Sequence, residues 1–262
     1  MTNPPVVTAS TQGHVRTIRL DRPARMNSLD LNTKTQLLAA LQTAAGDPDV
    51  RAVILTGTGR AYCVGQDLEE AQTAEGPDAM ADAVREHYSP LIRTLLTMPK
   101  PVIAAINGVA AGAGMALALA CDFRIAARSA TFTTAFAGIG LSCDTGISWT
   151  LPRITGRAAA LDLLLHPRLL GSAEALDRGL LHQVTADEDL DAKVHRSAAA
   201  LAAGPTHAFA AIKAAVTFAS ESTLDAALEY EAAQIAHTGG SEDYRLGLNA
   251  FLAKQKPAFT GR

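Results

Sequence analysis

The most apolar stretch of the chain, KPVIAAINGVAAGAGMALALAC at residues 100–121, decides how the fold is read. Its length alone would admit a membrane span. Its makeup argues against one, because Asn107 interrupts it, alanine and glycine outnumber the large aliphatics, and Lys100-Pro101 stands at its head. Val102 to Ile106 has the short, β-branched character of a strand buried on both faces. Gly108-Val109-Ala110-Ala111-Gly112-Ala113-Gly114 then forms a small-residue turn, and Met115 to Ala120 continues as a helix. Strand, turn and helix in this order set the unpaired N–H donors of a helix start beside backbone that a ligand can approach closely. A dinucleotide-binding turn fits poorly. The glycine spacing is not GxGxxG, and the acid expected after the next strand is represented only by Asp122, ahead of Phe123 to Ala126.

Working upstream, Gly13 to Leu20 carries Val15, Thr17 and Ile18 and reads as a strand that stops at Asp21-Arg22-Pro23. The spacing of Leu31, Leu37, Leu38 and Leu41 predicts a helix from Asp30 to Ala45, closed by Gly46-Asp47-Pro48. Val50 to Thr56 is a second buried strand, ending in the loop Gly57-Thr58-Gly59-Arg60. Residues 70–82, with Gly76-Pro77 among them, read as a short helix or a loop, and a helix follows over 83–97. Beyond Gly156 the chain turns to alanine and leucine, predicting helices over 157–165, 172–178, 187–203, 206–219, 222–237 and 241–253. Thr185 and Glu188 have capping-box spacing ahead of the third of these. The sum is an α/β fold followed by a helical C-terminal region.

Composition narrows the function classes. The 262 residues are 48% hydrophobic and 19% charged with a formal charge of −3, which excludes a disordered chain and a broad cationic nucleic-acid surface. Cys63, Cys121 and Cys143 make neither a CxxC pair nor a secreted-style framework, so buried thiols in a reducing compartment are expected. The opening MTNPPVVTASTQGH has no basic segment leading into an apolar run, and the expectation is a cytoplasmic protein with no membrane or nucleic-acid partner. The seven histidines are scattered without an HExxH pattern, so no metal site is expected.

A second loop, Gly59 to Leu68, follows the strand that ends at Thr56. Two loops after two strands can aim two backbone amides at a single carbonyl oxygen and stabilise negative charge as it develops there.

Several motifs follow one another along nearly the whole chain. They are Asp21-Arg22-Pro23-Ala24-Arg25-Met26-Asn27-Ser28-Leu29, Cys63-Val64-Gly65-Gln66-Asp67-Leu68, Lys100 to Gly108, Ala111-Gly112-Ala113-Gly114, Cys121 to Ala126, Leu151-Pro152-Arg153, and the tail from Phe251 to Arg262. Together they resemble the crotonase, or enoyl-CoA hydratase/isomerase, superfamily. The resemblance implies a ββα spiral over residues 1–200 and a helical trimerisation region over 201–262, giving a homotrimer or a dimer of trimers. It implies an oxyanion hole built from the backbone N–H groups of Gln66 and Ala113. The family commonly has glycine at the second position, and alanine keeps the backbone donor. It implies Arg25 and Met26 near the adenine-ribose end of an acyl-CoA, Gly65, Asp67, Leu68 and Gly112 along the passage of its thioester arm, and Lys256 with Arg262 near its phosphates. No separate cofactor is implied, since CoA is part of the substrate.

The acid–base inventory carries the resemblance further. Where the family's hydratases have two glutamates, this chain has Ala116 and Phe136, and neither can transfer a proton. Asp144, in Gly140-Leu141-Ser142-Cys143-Asp144-Thr145-Gly146, matches the single catalytic aspartate of certain isomerases in the family. His87, Ala116, Phe136, Ile139 and Cys143 are candidates for the acyl pocket. Burial among Phe136, Ile139 and Leu141 would raise the Asp144 pKa. Cys143 lacks a paired histidine in the sequence and is not read as a nucleophile. Trp149 is read as packing. The implied activity is isomerisation of a CoA thioester, either of a ring epoxide of phenylacetyl-CoA to an oxepin or of a β,γ double bond into conjugation. Alternatives are a general Δ3,Δ2-enoyl-CoA isomerase, a thioester hydrolase or dehalogenase with aspartate as nucleophile, and a non-catalytic acyl-CoA-binding protein.

Overall fold

Val7–Gln12 (β1) and Val15–Leu20 (β2) form an antiparallel hairpin at one edge of the main sheet. This is a computed structural model, and it describes residues 5–72 and 76–262. Leu31–Gly46 (α1) follows, its start capped by the Asp30 carboxylate, which accepts from the Thr33 N–H at 2.7 Å. Next come Ala52–Gly57 (β3), Ala61–Cys63 (β4), Leu68–Ala71 (α2), Gly76–Ala83 (α3), a π-helical turn over Val84–Tyr88, and Ser89–Thr97 (α4). Val102–Ile106 (β5), Val109–Ala111 (β6), Ala113–Leu119 (α5), Phe123–Ala127 (β7) and Thr131–Thr133 (β8) complete the part that carries the glycine-rich turn. Ile147–Thr155 (α6), Arg157–Leu165 (α7), Leu170–Gly171 (β9), Ser172–Asp177 (α8), Gln183–Thr185 (β10) and Leu190–Ala202 (α9) lead to the terminal helices Thr206–Ala219 (α10), Leu224–Gly239 (α11) and Glu242–Leu252 (α12).

The strands divide between a six-stranded sheet, ordered β1-β2-β3-β5-β7-β10, and a four-stranded one, ordered β4-β6-β8-β9. Each of the pairs β3–β4, β5–β6 and β7–β8 sends its first strand to the large sheet and its second to the small one. Repeated with helices between, this is a ββα spiral, and it agrees with the implied fold. The strands β3 and β5 are buried along their whole length, as parallel strands covered on both faces must be. The α9 helix packs across them.

Several elements depart from the sequence expectation. The strands β4, β6 and β8 are three residues each; β4 and β6 lie inside stretches read as loop or turn, and β8 lies where no element is expected. Such strands carry no periodicity and exist only because the neighbouring unit supplies their partners. The hairpin partner β1 is largely exposed and lay upstream of the expected strand. Within 70–82, residues 73–75 lie outside the described residues, and the others are mainly helical. The expected helix over 83–97 is present, with Val84–Tyr88 wound as a π-helix that runs without a break from α3 into α4. Thr185 ends β10 and caps no helix; α9 starts at Leu190 after a short turn at Asp187–Asp189.

The C-terminal helices are tied to the spiral by a few buried polar contacts. Arg51, just before β3, donates to Thr206 Oγ1, the Gly204 carbonyl and the Phe259 carbonyl at 3.1, 2.6 and 3.1 Å. Lys213 Nζ on α10 reaches Asp122 Oδ2 at 2.7 Å, and the same oxygen accepts from the Val102 N–H at the start of β5. Asp122 is therefore a strut between sheet and helix. Among the described residues no single helix is long and apolar enough to cross a membrane, and residues 100–121 resolve into β5, the short strand β6 within the stretch read as a turn, and α5.

Candidate active site

The chain leaves the ends of β3 and β5, passes through β4 and β6, and brings two loops together. Gly65 (φ +89°) lies so close to the other loop that a Cβ there would meet the Ala111 carbonyl oxygen at 3.0 Å and the Ala113 nitrogen at 3.1 Å. A Cβ on Gly114 would fall 2.0 Å from the Cys63 carbonyl oxygen, so only glycine admits this approach. The convergence that two separate loops could only suggest is thus built from the missing side chains of Gly65 and Gly114.

The orientation of Gln66 follows from its neighbours. The Leu29 N–H donates to the Gly65 carbonyl at 2.7 Å, and the Asp67 N–H donates to the Leu29 carbonyl at 3.2 Å. Backbone groups alternate in direction along an extended segment, so the Gln66 N–H points away from Leu29. Ala113 is the first residue of α5, where an N–H has no acceptor within the helix. Gln66, Gly112 and Ala113 all line one cavity of about 460 Å³. Two backbone donors beside one cavity, one of them at a helix N-terminus, form an arrangement that favours an anionic oxygen.

The Gln66 side chain has no capacity left for a ligand. Its Oε1 accepts from Lys34 Nζ at 3.2 Å and from the Tyr88 hydroxyl, while its Nε2 donates to Glu70 Oε1 and to the Asp67 carbonyl, each at 3.2 Å. Both acceptor sites and both donors of the amide are engaged. The backbone N–H is what this residue presents.

Asp144 lies across the same cavity, where Phe136, Ile139, Leu141 and His87 also form the lining. Burial pushes its carboxyl above the usual aspartate range, opposed by the Thr145 hydroxyl, which donates to Oδ1 at 2.6 Å, and by the positive charge of Lys34. Thr145 (φ +52°) and Gly146 (φ +69°) turn the chain sharply into α6 just after it. A β-branched residue in the left-handed region is strained, and buried Thr145 keeps that conformation because the packing around it holds this turn. The expected burial is uneven. Phe136 is buried, whereas Ile139 and Leu141 are 61% and 42% exposed and form the mouth.

The Enoyl-CoA hydratase/isomerase family model matches residues 10–262 of the chain. The chain belongs to the enoyl-CoA hydratase/isomerase family. It is 44% identical over 251 residues to the 1,2-epoxyphenylacetyl-CoA isomerase of Escherichia coli (strain K12), covering 95% of each protein. It is 34% identical to 4-chlorobenzoyl coenzyme A dehalogenase-2 of an Arthrobacter species, covering 92% of this chain and 88% of that one. The crystal structure of an enoyl-CoA hydratase from Polaromonas sp. JS666 superposes with a TM-score of 0.91 at 34% identity, covering 97% and 99% of the two chains. The crotonase fold and an enzyme acting on CoA thioesters are thereby established for this chain; its relatives differ in the reaction they are named for.

In this crotonase-family enzyme the remaining candidates are distributed unevenly. Leu68, 60% exposed, His87, Phe136 and Ile139 line the cavity. Ala116 does not: it is wholly buried in α5, and its methyl group belongs to the core. Cys143 is half-buried, packs against the core and is not among the lining residues. Gly65 is a spacer between the loops. The Asp67 carboxylate is turned inward: burial raises its pKa, but hydrogen bonds from Ser28 and Arg22 outweigh that and hold it below the usual range. Asp67 therefore clamps the loop and caps α2. Arg25 is exposed and paired with Glu69, Met26 closes a short turn in the left-handed conformation, and exposed Lys256 lies in the tail after α12; none of the three lines the cavity. Cys63 and Cys121 are buried, and burial pushes both thiols up to about 12, which keeps them unreactive. Trp149 donates to Glu221 at 3.0 Å with the Arg153 guanidinium over its ring.

Sequence reasoning missed Lys34, Glu70 and Tyr88. A signal for Lys34 was present: it falls on the stripe of α1 that also carries Leu37 and Leu41, and a lysine on a buried face needs a partner.

Proposed function

We propose that the protein is an acyl-CoA isomerase with Asp144 as its single acid–base group and the backbone N–H groups of Gln66 and Ala113 as its oxyanion hole. The observation that carries this reading is a half-buried carboxylate across one cavity from two backbone donors, while the other carboxylate on that cavity, Glu70, is engaged by Lys34 and Gln66. With the thioester oxygen at those donors, the carbonyl is polarised and the protons on C2 become acidic. Asp144 takes a proton from C2, leaving a dienolate whose charge rests on the thioester oxygen, and returns that proton to C4. A β,γ double bond thus becomes α,β, with no atom gained or lost. A raised carboxyl pKa suits both halves of the exchange, since it makes the carboxylate a stronger base and the acid still a competent donor. Alanine at position 116 and phenylalanine at 136 stand where hydratases have their two glutamates, and Glu70 on the same cavity is engaged by Lys34, the Leu31 N–H and Gln66, which disfavours hydration.

The E. coli relative supports the ring epoxide of phenylacetyl-CoA as a substrate, with the oxepin thioester that the family resemblance implies as product. The Arthrobacter relative supports a second reading, dehalogenation of an aryl-CoA thioester, in which Asp144 would act as the nucleophile. Purified protein should be offered the ring-epoxide thioester, a β,γ-enoyl-CoA, an α,β-enoyl-CoA and 4-chlorobenzoyl-CoA, with product masses and chloride followed. Isomer formation, lost in D144A and D144N while CoA-ester binding persists, is the expected result. Rapid hydration of the α,β-enoyl ester, or unchanged turnover in both variants, overturns the reading. Chloride release that needs Asp144 selects the second.

We also propose that the chain assembles through its terminal helices, as a trimer or a dimer of trimers. Ile212, Val216, Leu224 and Ile235, exposed on α10 and α11, support this.

A further inference from the structure

Lys34 lies at the centre of a cluster that the proposed isomerase chemistry does not yet use. Its side chain is 1% exposed, yet it reaches the cavity lining from α1. Lys34 Nζ donates to Gln66 Oε1 at 3.2 Å and pairs with Glu70 Oε1 at 2.9 Å, and it stands 5.0 Å from the centre of the Tyr88 ring. Tyr88, from the turn before α4, donates to the same Gln66 oxygen. Glu70 in turn accepts from the Leu31 N–H at 2.6 Å and from Gln66 Nε2. Lys34, Glu70 and Tyr88, from three segments of the chain, thereby converge on the amide side chain of Gln66, which lines the cavity.

We propose that Lys34 is a positioning residue for catalysis: with Tyr88 and Glu70 it locks the Gln66 loop in register with Ala113, and it sets a positive charge across the cavity from Asp144. The inference rests on the isomerase reading above and adds to it a group outside the oxyanion hole and the base. A network in which every polar atom is satisfied holds a loop more tightly than any one bond, because moving Gln66 breaks several at once. The charge acts separately. The titratable groups sharing the cavity with Asp144 are Lys34 from α1, Glu70 from α2, and His87 and Tyr88 from the turn before α4. Lys34 favours the ionised aspartate, and Glu70, paired with Lys34 at 2.9 Å, offsets part of that positive charge, so removing one partner or the other should bias Asp144 in opposite directions.

That opposition gives a test which a purely structural role fails. Wild type, K34M, K34R, E70Q, K34M/E70Q and D144N are assayed with a β,γ-enoyl-CoA across pH, and the Asp144 carboxyl carbon is titrated by NMR in the unliganded protein. K34M is expected to lower kcat about tenfold through the displaced Gln66 donor, with KM changed by less than about threefold. Its acid limb and its Asp144 titration move to higher pH. E70Q moves both to lower pH, K34M/E70Q returns them toward wild type while kcat stays low, and K34R keeps the wild-type limb. Unchanged kcat and unchanged titration in K34M overturn the proposal, as do shifts of the same sign in K34M and E70Q. If K34M does not fold, the E70Q and K34R titrations decide, because E70Q without a downward shift overturns it too. Turnover retained by D144N overturns the reading of Asp144 as base, and the NMR titration still judges Lys34.

Discussion

The spiral and the terminal helices treat their apolar residues in opposite ways. In the spiral, β3 and β5 are wholly buried, and the loops leaving them are closed by Gly65 and Gly114 against opposing backbone. In the terminal helices, α11 has Ala227 as its one buried residue, while Leu224, Leu228 and Ile235 are 73%, 53% and 72% exposed. The first region holds the candidate site. The second is held to it by Arg51 and by the Lys213–Asp122 pair and leaves an apolar face uncovered. The contrast separates two demands: chemistry needs atoms placed to a fraction of an ångström, whereas association needs area.

Substitutions that touch only one region sharpen this contrast. The largest effect is expected for D144N, with isomerase kcat lowered at least about 1,000-fold and binding of a CoA ester retained by calorimetry. The fold should become more stable. The folded state raises the Asp144 pKa through burial, so ionisation costs stability as pH rises from the ordinary aspartate range through that raised value. D144N escapes that cost, and its Tm should exceed that of wild type at neutral pH and match it in acid. G65A comes next. The new Cβ meets Ala111 and Ala113 backbone in a left-handed conformation, and spreading the two donors should lower kcat about 100-fold, read by steady-state kinetics beside far-ultraviolet circular dichroism.

The second region is probed through assembly and anchoring. I235E should reduce the mass measured by light scattering to that of one chain while each chain keeps its fold; an unchanged mass would show that this face is not an interface. K213M leaves Asp122, buried beneath α10, without its ammonium partner, and should cost about 2 kcal/mol in denaturant unfolding. Its kcat should stay near the wild-type value, because the strut lies away from the cavity. A large fall in kcat would show that the terminal helices control the site as well as adjoin it.

Parts of the site were legible in the sequence for a plain reason. Gly65, Gln66, Gly112, Ala113 and Asp144 stand in short motifs that resemble those of the family, and their expected roles come from that resemblance; Gln66 and Ala113 offer backbone donors, which residue type alone does not mark. Lys34, Glu70 and Tyr88 come from separate elements, and nothing local pairs a lysine on α1 with a glutamate 36 residues away. Ala116 and Cys143 were misplaced because a motif gives a position along the chain and not the direction in which a small side chain points.

The sequence by itself determined the buried strands, the terminal helices and the family. Burial on both faces and helical periodicity are written into residue type, and several motifs in one order are specific. Only the tertiary structure decided that β4, β6 and β8 exist, that the two glycine-rich loops meet, and that Asp144 shares a cavity with a buried ammonium group. Each of these depends on contacts between segments far apart in the chain, whose energies belong to the pair and to neither segment alone.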